Sequence, residues 1–339
     1  MKIGAFDLAA RPLMIAEIGA NHEGNAEVAK SMIAEAARAG ADAVKFQTYT
    51  AEKIVARSDA ARFAHFQRLA LPDAVFPELA AAARAAGVLF LSTPFDLDAV
   101  DLLEPMVPAF KIASGDITFH PLLERVAQSG KPILLSTGMA TSDEIGAALD
   151  VLQRAAGIDR ARLGERVVLM HCVSSYPTAP EDANLKRIVA LRNEFGVPVG
   201  YSDHTLGIVA CLGAAALGAY AIEKHFTLQK EGRTFRDHQL SADPADLSQL
   251  TAGLRSLAVM LGSGDPRSTS EDANRVSMRR SLAARVDIKA GAIIHPDQII
   301  CLRPGGGLPP SALDAVVGRV ALADVPAGHP IPPSAVGLR

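Results

Sequence analysis

The chain has 339 residues, and what it lacks narrows the field first. Its three cysteines, Cys172, Cys211 and Cys301, lie far apart with no CxxC pair. A disulfide framework and a zinc–thiolate cluster are therefore not expected, and a reducing cytoplasm fits. Excess positive charge is also missing: 34 Lys and Arg against 37 Asp and Glu leave a formal charge of −3. No global field recruits nucleic acid or an anionic membrane, so any phosphate must be held by a few local cations. The N-terminal MKIGAFDLAARP has no apolar core of the signal-peptide kind. The longest apolar run, Leu206 to Ile222, is rich in Gly and Ala and falls short of the roughly 20 residues that span a bilayer. It reads as a buried helix running into a buried strand. IGANHEG is not GxGxxG, HEG lacks the second His of HExxH, and Ser174–Ser175 beside His171 has no GxSxG elbow. Dinucleotide binding, zincin chemistry and nucleophilic serine catalysis all lose their usual signatures.

What is present is a rhythm. Short β-rich apolar runs recur at Leu13–Ile18, Ala43–Gln47, Val88–Thr93, Ala109–Ser114, Pro132–Ser136, Val167–Cys172, Pro198–Ser202 and Tyr220–His225. Between them lie stretches of helical spacing such as Ala26–Ala39, Val75–Ala86 and Ser142–Ala155, with Gly or Pro marking the return. Eight strands alternating with helices over about 260 residues suit a (β/α)8 TIM barrel of the α/β class. An open doubly wound sheet is the rival on rhythm alone. After Leu261 the pattern changes to polar GSGDPRSTSEDANRVSMRR, read as a linker over 263–280. Residues 281–339 are Pro- and Gly-rich and read as a small β-rich domain after a catalytic domain at 1–262.

In a barrel the chemistry sits at the C-terminal rim, so the polar residues closing each apolar strand are the candidates. They are Glu17 with Asn21-His22-Glu23, Lys45 with Gln47, Thr93, Lys111 with Ser114 and Asp116, Ser136, His171 with Ser174, Ser202-Asp203-His204 and Glu223-Lys224-His225. An isolated Lys at a strand end is usually a solvated or snorkelling charge. Lys45 and Lys111 instead sit inside apolar runs, where an uncompensated ammonium is costly, so a carboxylate or a bound anion is expected beside them. With Thr93, Ser114 and Ser136 they could cradle phosphate and carboxylate. A lone rim His is usually core packing. Two on consecutive strands, His204 and His225, could instead hold a divalent metal whose open positions polarise a carbonyl.

At this point IAEIGANHEG (15–24), VKFQT (44–48), LSTPFD (91–96), FKIASGD (110–116), PILLSTGM (132–139), HCVSSYPT (171–178), YSDHTLG (201–207) and IEKHFTL (222–228) resemble the sialic acid synthase family. RRSLAARVDIKAG with LRPGGGL resembles its antifreeze-like (SAF) domain. The resemblance implies a TIM barrel joined to a SAF domain in a domain-swapped homodimer. It also implies condensation of phosphoenolpyruvate with an N-acylated amino-sugar aldehyde to give a nine-carbon 2-keto acid and phosphate. Carried over by position, His204 and His225 would bind a divalent metal, Mn before Mg, Co or Fe. Lys45, Thr93, Lys111, Ser114, Ser136 and Ser202 would hold phosphoenolpyruvate. Glu23 and Asp116, with the two lysines, would be catalytic. Asn21, Gln47, Tyr176 and Asp237 would meet the sugar, joined by Arg303 from the neighbouring subunit. Three places depart from the family's pattern: Asp116 for its Glu, Ser174–Ser175 for its usual Asn, and EGRTFRDHQLSADP after the eighth strand. The last two, with EDANLK at 181–186, set a 2,4-diacetamido-trideoxy hexose beside N-acetylmannosamine as acceptor. The alternatives are a synthase of seven- or eight-carbon acids acting on phosphosugars, which should carry an extra basic cluster not seen in the sequence, and a catalytically dead barrel with a glycan-binding SAF domain.

Overall fold

A computed structural model describes residues 1–233, 235–264 and 269–338 and divides them into two compact units, Met1–Leu261 and Gly262–Arg339. The first opens with a two-stranded antiparallel hairpin, β1 (Lys2–Ile3) and β2 (Phe6–Asp7), that the sequence did not announce. Then come β3 (Leu13–Gly19), α1 (Ala26–Arg38), β4 (Ala43–Thr48), α2 (Ala51–Ile54), α3 (Ala60–Leu69), α4 (Phe76–Ala85) and β5 (Leu89–Pro94). Next are α5 (Leu97–Leu103), β6 (Phe110–Ile112), α6 (His120–Gln128), β7 (Ile133–Ser136), α7 (Ser142–Ala156) and β8 (Val167–His171). The unit closes with α8 (Arg187–Phe195), β9 (Val199–Asp203), α9 (Val209–Ala216), β10 (Ala221–His225), α10 (Asp237–Leu240) and α11 (Pro244–Met260).

The eight strands β3–β10 form one parallel sheet in the order β5-β4-β3-β10-β9-β8-β7-β6. β5 and β6 lie beside each other, so the ring is nearly closed and the architecture is TIM-like. Because successive strand residues face opposite sides, one set packs outward under the helices, including Met14, Ala16, Val44, Phe46 and Leu135. The alternate set fills the barrel's interior with Leu13, Ile15, Ala43, Leu91, Ala109, Leu134, Val168, Met170 and Ala221. Ile3 and Leu8 of the N-terminal segment join this inner cluster, plugging the end of the barrel opposite the strands' C-termini. Local signals fix the helix ends. Thr141 and Glu144 make a capping box at α7, and Gly157 ends it in the left-handed conformation.

The second unit has its own core of Leu282, Ile288, Ile294, Ile299, Val316 and Ile331. β11 (Ser281–Ala284) pairs antiparallel with β12 (Ile299–Leu302), and a short helix, α13 (Leu313–Val316), follows. The linker expected over 263–280 is corrected in part: Thr269–Met278 is a helix, α12, while 265–268 lie outside the described residues. Acidic Glu271 and Asp272 in its first turn and Arg275 in its last suit the helix dipole, a signal hidden by the segment's polarity. Among the described residues, no helix is long and apolar enough to cross a membrane.

Candidate active site

The alternation that packs the barrel also builds its rim. Continuing each inward-facing row toward the strand's C-terminal end changes it from apolar to polar: Ile15 to Glu17, Ala43 to Lys45 and Gln47, Leu91 to Thr93, and Ala109 to Lys111. Leu134 leads to Ser136, Met170 to Cys172, and Ala221 to Glu223 and His225. These residues, with Ser114, Asp116, Ser174, Tyr176, Ser202, His204 and Asp237, line one cavity of about 500 Å³. Most of the predicted rim, Glu17 and Glu223 included, is thus brought together, and residues outside that expectation join it: Arg62, His65, Phe66, Phe235 and Arg236.

At the cavity floor two ammonium groups meet two carboxylates, all within 5% of full burial. Lys45 lies 2.7 Å from Glu17 and 3.8 Å from Glu223, while Lys111 lies 3.1 Å from Glu223. Lys45 Nζ also donates to Thr93 Oγ1 at 3.2 Å, and Ser202 Oγ donates to Glu223 at 3.0 Å. Gln47 Nε2 donates to Glu17 at 3.3 Å. The carboxylate partners expected for buried lysines are therefore built in, and Glu223 serves both cations. Burial alone would raise the affinity of Glu223 for protons, yet Lys111 and Lys45 hold its pKa down to about 2. Glu17 has only Lys45 close by. Burial, reinforced by the negative charge of Glu223, pushes it up to about 7. The floor can thus shed a negative charge by taking a proton on Glu17.

Toward the seventh and eighth strands the two histidines stand with ring centroids 5.5 Å apart. His204 Nδ1 lies 2.7 Å from the Val173 carbonyl, which can only accept, so Nδ1 carries the proton and Nε2 keeps its lone pair. His225 Nδ1 is buried without a hydrogen-bond partner, 4.0 Å from Asp237 Oδ2. Burial lowers the pKa of both, His225 well below the ordinary histidine value, so both are neutral near pH 7. Two neutral imidazoles, one with a tautomer fixed by its carbonyl and one with an orphaned buried nitrogen, fit metal ligation. Among the described residues, no group of three or more His, Cys, Asp or Glu could hold an ion, so water or substrate would complete the coordination.

Asp116 lies in a short turn after β6, its Oδ2 buried without a partner, and burial raises its pKa to about 6. Ser114 Oγ accepts from the Gly138 N–H at 3.0 Å. A Cβ on Gly138 would come within 2.5 Å of Ser174 Oγ and 2.8 Å of Ser114 Oγ, so only glycine lets these groups converge. Ser136 Oγ is buried and unpartnered against the same cavity.

Two predicted residues sit elsewhere in the first unit. Asn21 is buried with Nδ2 bound to the Phe226 carbonyl at 2.8 Å and to Ser241 Oγ at 2.9 Å, tying the first and eighth βα loops together away from the cavity lining. Glu23 lines an adjoining depression with Arg68 rather than the lysine cavity, and the two hollows share His65, Phe235 and Arg236. Arg303 belongs to the second unit, just after β12. Asp203 and Lys224, grouped with the rim in the sequence, face the other side of the sheet. They form a buried ion pair at 2.8 Å, with Tyr201 donating to Asp203 at 3.0 Å. His171 contacts the Ala183 carbonyl at 2.9 Å, so it is not available to activate Ser174 or Ser175. Arg62 and His65 of α3 line the same cavity as Arg236, and the exposure of Arg62 and Arg236 puts them at its mouth, a grouping of basic side chains the linear sequence does not show.

Comparison with known proteins gives the family. Residues 32–266 match the NeuB family and 279–337 match the SAF domain. The chain belongs to the NeuB family. A Methanocaldococcus jannaschii protein described as uncharacterized is 45% identical, over 90% of this chain and 89% of its own. The N,N'-diacetyllegionaminic acid synthase of Campylobacter jejuni is 39% identical, over 92% and 96%. The crystal structure of an N-acetylneuraminic acid synthetase from Leptospira borgpetersenii, in complex with citrate, superposes with a TM-score of 0.72 at 35% identity, covering 78% of this chain and 90% of that one. As a NeuB-family chain with an SAF domain, this protein is a carbon–carbon bond-forming transferase, a synthase of the sialic-acid type.

Proposed function

We propose that the protein condenses phosphoenolpyruvate with an N-acylated amino-sugar aldehyde, N-acetylmannosamine or a 2,4-diacetamido-trideoxy hexose, to give a nine-carbon 2-keto-3-deoxy acid and phosphate. The observation that carries this reading is the pairing of a buried two-lysine floor with a neutral two-histidine wall in one cavity. Lys45 and Lys111, with Thr93, Ser114, Ser136 and Ser202, would receive the trianionic substrate. Their present carboxylate partners keep the cations in place, and Glu17 can take a proton when a competing anion arrives. A divalent metal on His204 and His225, Mn being the first choice, would supply a Lewis acid for the aldehyde carbonyl.

The bond balance is simple. C3 of phosphoenolpyruvate bonds to the aldehyde carbon, whose oxygen takes a proton. Water then adds at C2 and loses one proton, and as the C2–O bond breaks the new hydroxyl gives its second proton to the departing phosphate, leaving the C2 ketone. Gln47, Tyr176 and Asp237 line the same cavity and would meet the sugar, with Phe66 and Phe235 adding apolar walls. Arg303 would enter from the partner of a domain-swapped homodimer.

The deciding experiment is phosphate release from phosphoenolpyruvate with Mn, comparing N-acetylmannosamine, diacetamido-trideoxy hexoses and phosphosugars. Release with an unphosphorylated amino sugar supports the reading and names the acceptor. Release with phosphosugars alone would give the mouth cluster of Arg62, His65 and Arg236 a phosphate to bind and favour the seven- or eight-carbon alternative. His225→Ala should remove metal dependence, and unchanged turnover in that variant would overturn the metal assignment.

A further inference from the structure

The chain running from β10 into α10, one of the three places where the sequence departs from the family's pattern, reaches the site at successive residues. The Phe235 ring stands 5.7 Å from that of His65 in α3. The Arg236 guanidinium lies over the Tyr176 ring, 5.0 Å from its centroid. Asp237 Oδ2 is 4.0 Å from His225 Nδ1. The contact made by Arg236 leads further inward, because Tyr176 has a second neighbour. Its ring packs on that of His204, with centroids 4.1 Å apart and planes inclined by 38°. Arg236, with a side chain 63% exposed, Tyr176 and the buried His204 thus form a row from the mouth to the histidine wall.

What each member of the row does follows from what else holds it. His204 is held at Nδ1 by the Val173 carbonyl at 2.7 Å. That bond pins one corner of the imidazole and leaves the ring free to rock, so the aim of the Nε2 lone pair depends on what lies against the ring. Tyr176 lies there. Among the described residues no hydrogen bond restrains the Tyr176 hydroxyl, so contacts on its ring set its place. A guanidinium over an aromatic ring is attracted by the ring's electron-rich face. Arg236 is itself steadied by Asp237, whose Oδ1 is 3.5 Å from Nε. The guanidinium therefore anchors the tyrosine from the mouth side.

We infer that Arg236 is a positioning residue for the histidine wall: it anchors Tyr176 against His204 and so keeps that imidazole in the orientation that ligation of a divalent ion needs. The role rests on the assignment of His204 and His225 as metal ligands made above. Charge alone predicts the opposite sign. A guanidinium repels a divalent cation, so if Arg236 contributed only its charge, removing that charge would tighten metal binding. Positioning predicts weaker binding, since a ring left to rock must be ordered when the ion arrives.

The test uses the whole protein, stripped of metal, and Mn(II) alone. Loss of the free ion's electron paramagnetic resonance signal on titration gives the Kd, the site being the one that His225→Ala removes. Arg236→Gln should weaken Mn(II) binding by about two- to fivefold, the worth of one exposed cation–π contact. Arg236→Lys, which keeps a cation over the ring, should restore most of the loss. The thermal midpoint of metal-free Arg236→Gln should stay at the wild-type value, which separates the effect from damage to the fold. In a Tyr176→Leu background Arg236→Gln should no longer weaken binding, because the ring through which it acts is gone. Unchanged or tighter Mn(II) binding in Arg236→Gln would overturn the inference and leave the condensation reading standing. Equal weakening with and without the tyrosine ring would overturn it as well, since Arg236 would then act by another route. A wild-type protein that takes up no Mn(II) would remove the metal assignment itself, and this role with it.

Discussion

Glu223 lies within salt-bridge reach of both floor lysines, and Glu17 of Lys45 only. Removing one member of a buried ion cluster leaves its partner charged and unpaired, which typically costs about 3–5 kcal/mol. Glu223→Gln should therefore lower stability by on the order of 3–5 kcal/mol, read from urea unfolding without ligand. Saturating phosphoenolpyruvate should narrow the gap, since the anion takes over the carboxylate's place; an equal loss with and without it would argue against an anion cradle. Glu17 gives a pH prediction of definite sign. Its folded value, about 7, stands above its ordinary 4.5, so the folded state binds the extra proton between those values. The stability it contributes is complete below pH 4.5 and is lost as pH rises through 7. Asp116, raised to about 6, has the same sign. His204 and His225 have the opposite one, their contribution being present above 6.5 and lost as pH falls. In Glu17→Gln the fall in thermal midpoint from pH 5 to 7.5 should be smaller than in wild type, and parallel slopes would show that Glu17 does not hold the proton.

At the scale of elements, the strands were legible because a parallel barrel buries both faces of each strand and so leaves near-continuous apolar runs. The ends of these runs marked the rim correctly for Lys45, Lys111, Ser202, His204 and His225. Reading the ends as a block, however, hid the two-residue pleat that sends Glu223 into the cavity and its neighbour Lys224 out to Asp203. Three features carried no local signal. The N-terminal hairpin has strands of two residues each, too short for periodicity. The mouth cluster joins Arg62 and His65 to Arg236 across some 170 positions of sequence, a convergence that only the fold creates. The α2–α3 insertion between β4 and α4 showed no strong periodicity, because its inner side faces a cavity rather than a core. That insertion is where acceptor selectivity should reside. Phe66 of α3 packs edge-on against Tyr49 with centroids 5.2 Å apart and lines the cavity. Phe66→Ala should raise the KM for the amino sugar several-fold, as expected for one lost aromatic contact worth about 1 kcal/mol. The KM for phosphoenolpyruvate should stay unchanged. Equal changes in both would place α3 over the whole cavity rather than over its sugar end.

At the scale of the molecule, the lysine–carboxylate floor and the histidine pair lie wholly within Met1–Leu261, whereas Arg303 lies in Gly262–Arg339. Among the described residues that unit has its own core of Leu282, Ile294 and Ile331, and the eight-stranded sheet takes no strand from it. Its attachment makes functional sense if it brings a residue to a site. Under the proposed domain-swapped dimer, that site belongs to the partner subunit, and the arrangement can be tested by complementation. Lys45→Ala removes a cation from the barrel and leaves the second unit intact; Arg303→Ala does the reverse. Each variant alone should be nearly inactive or, for Arg303→Ala, raised in its KM for the sugar. Unfolded and refolded together, they should form mixed dimers in which one barrel, intact, meets the intact second unit of its neighbour. Random pairing puts roughly a quarter of all sites in that state. Recovery of about that fraction of turnover at the wild-type sugar KM is expected only if Arg303 acts across the dimer. If Arg303 instead served its own barrel, every mixed dimer would hold one site without the lysine and one without the arginine, and mixing would restore nothing.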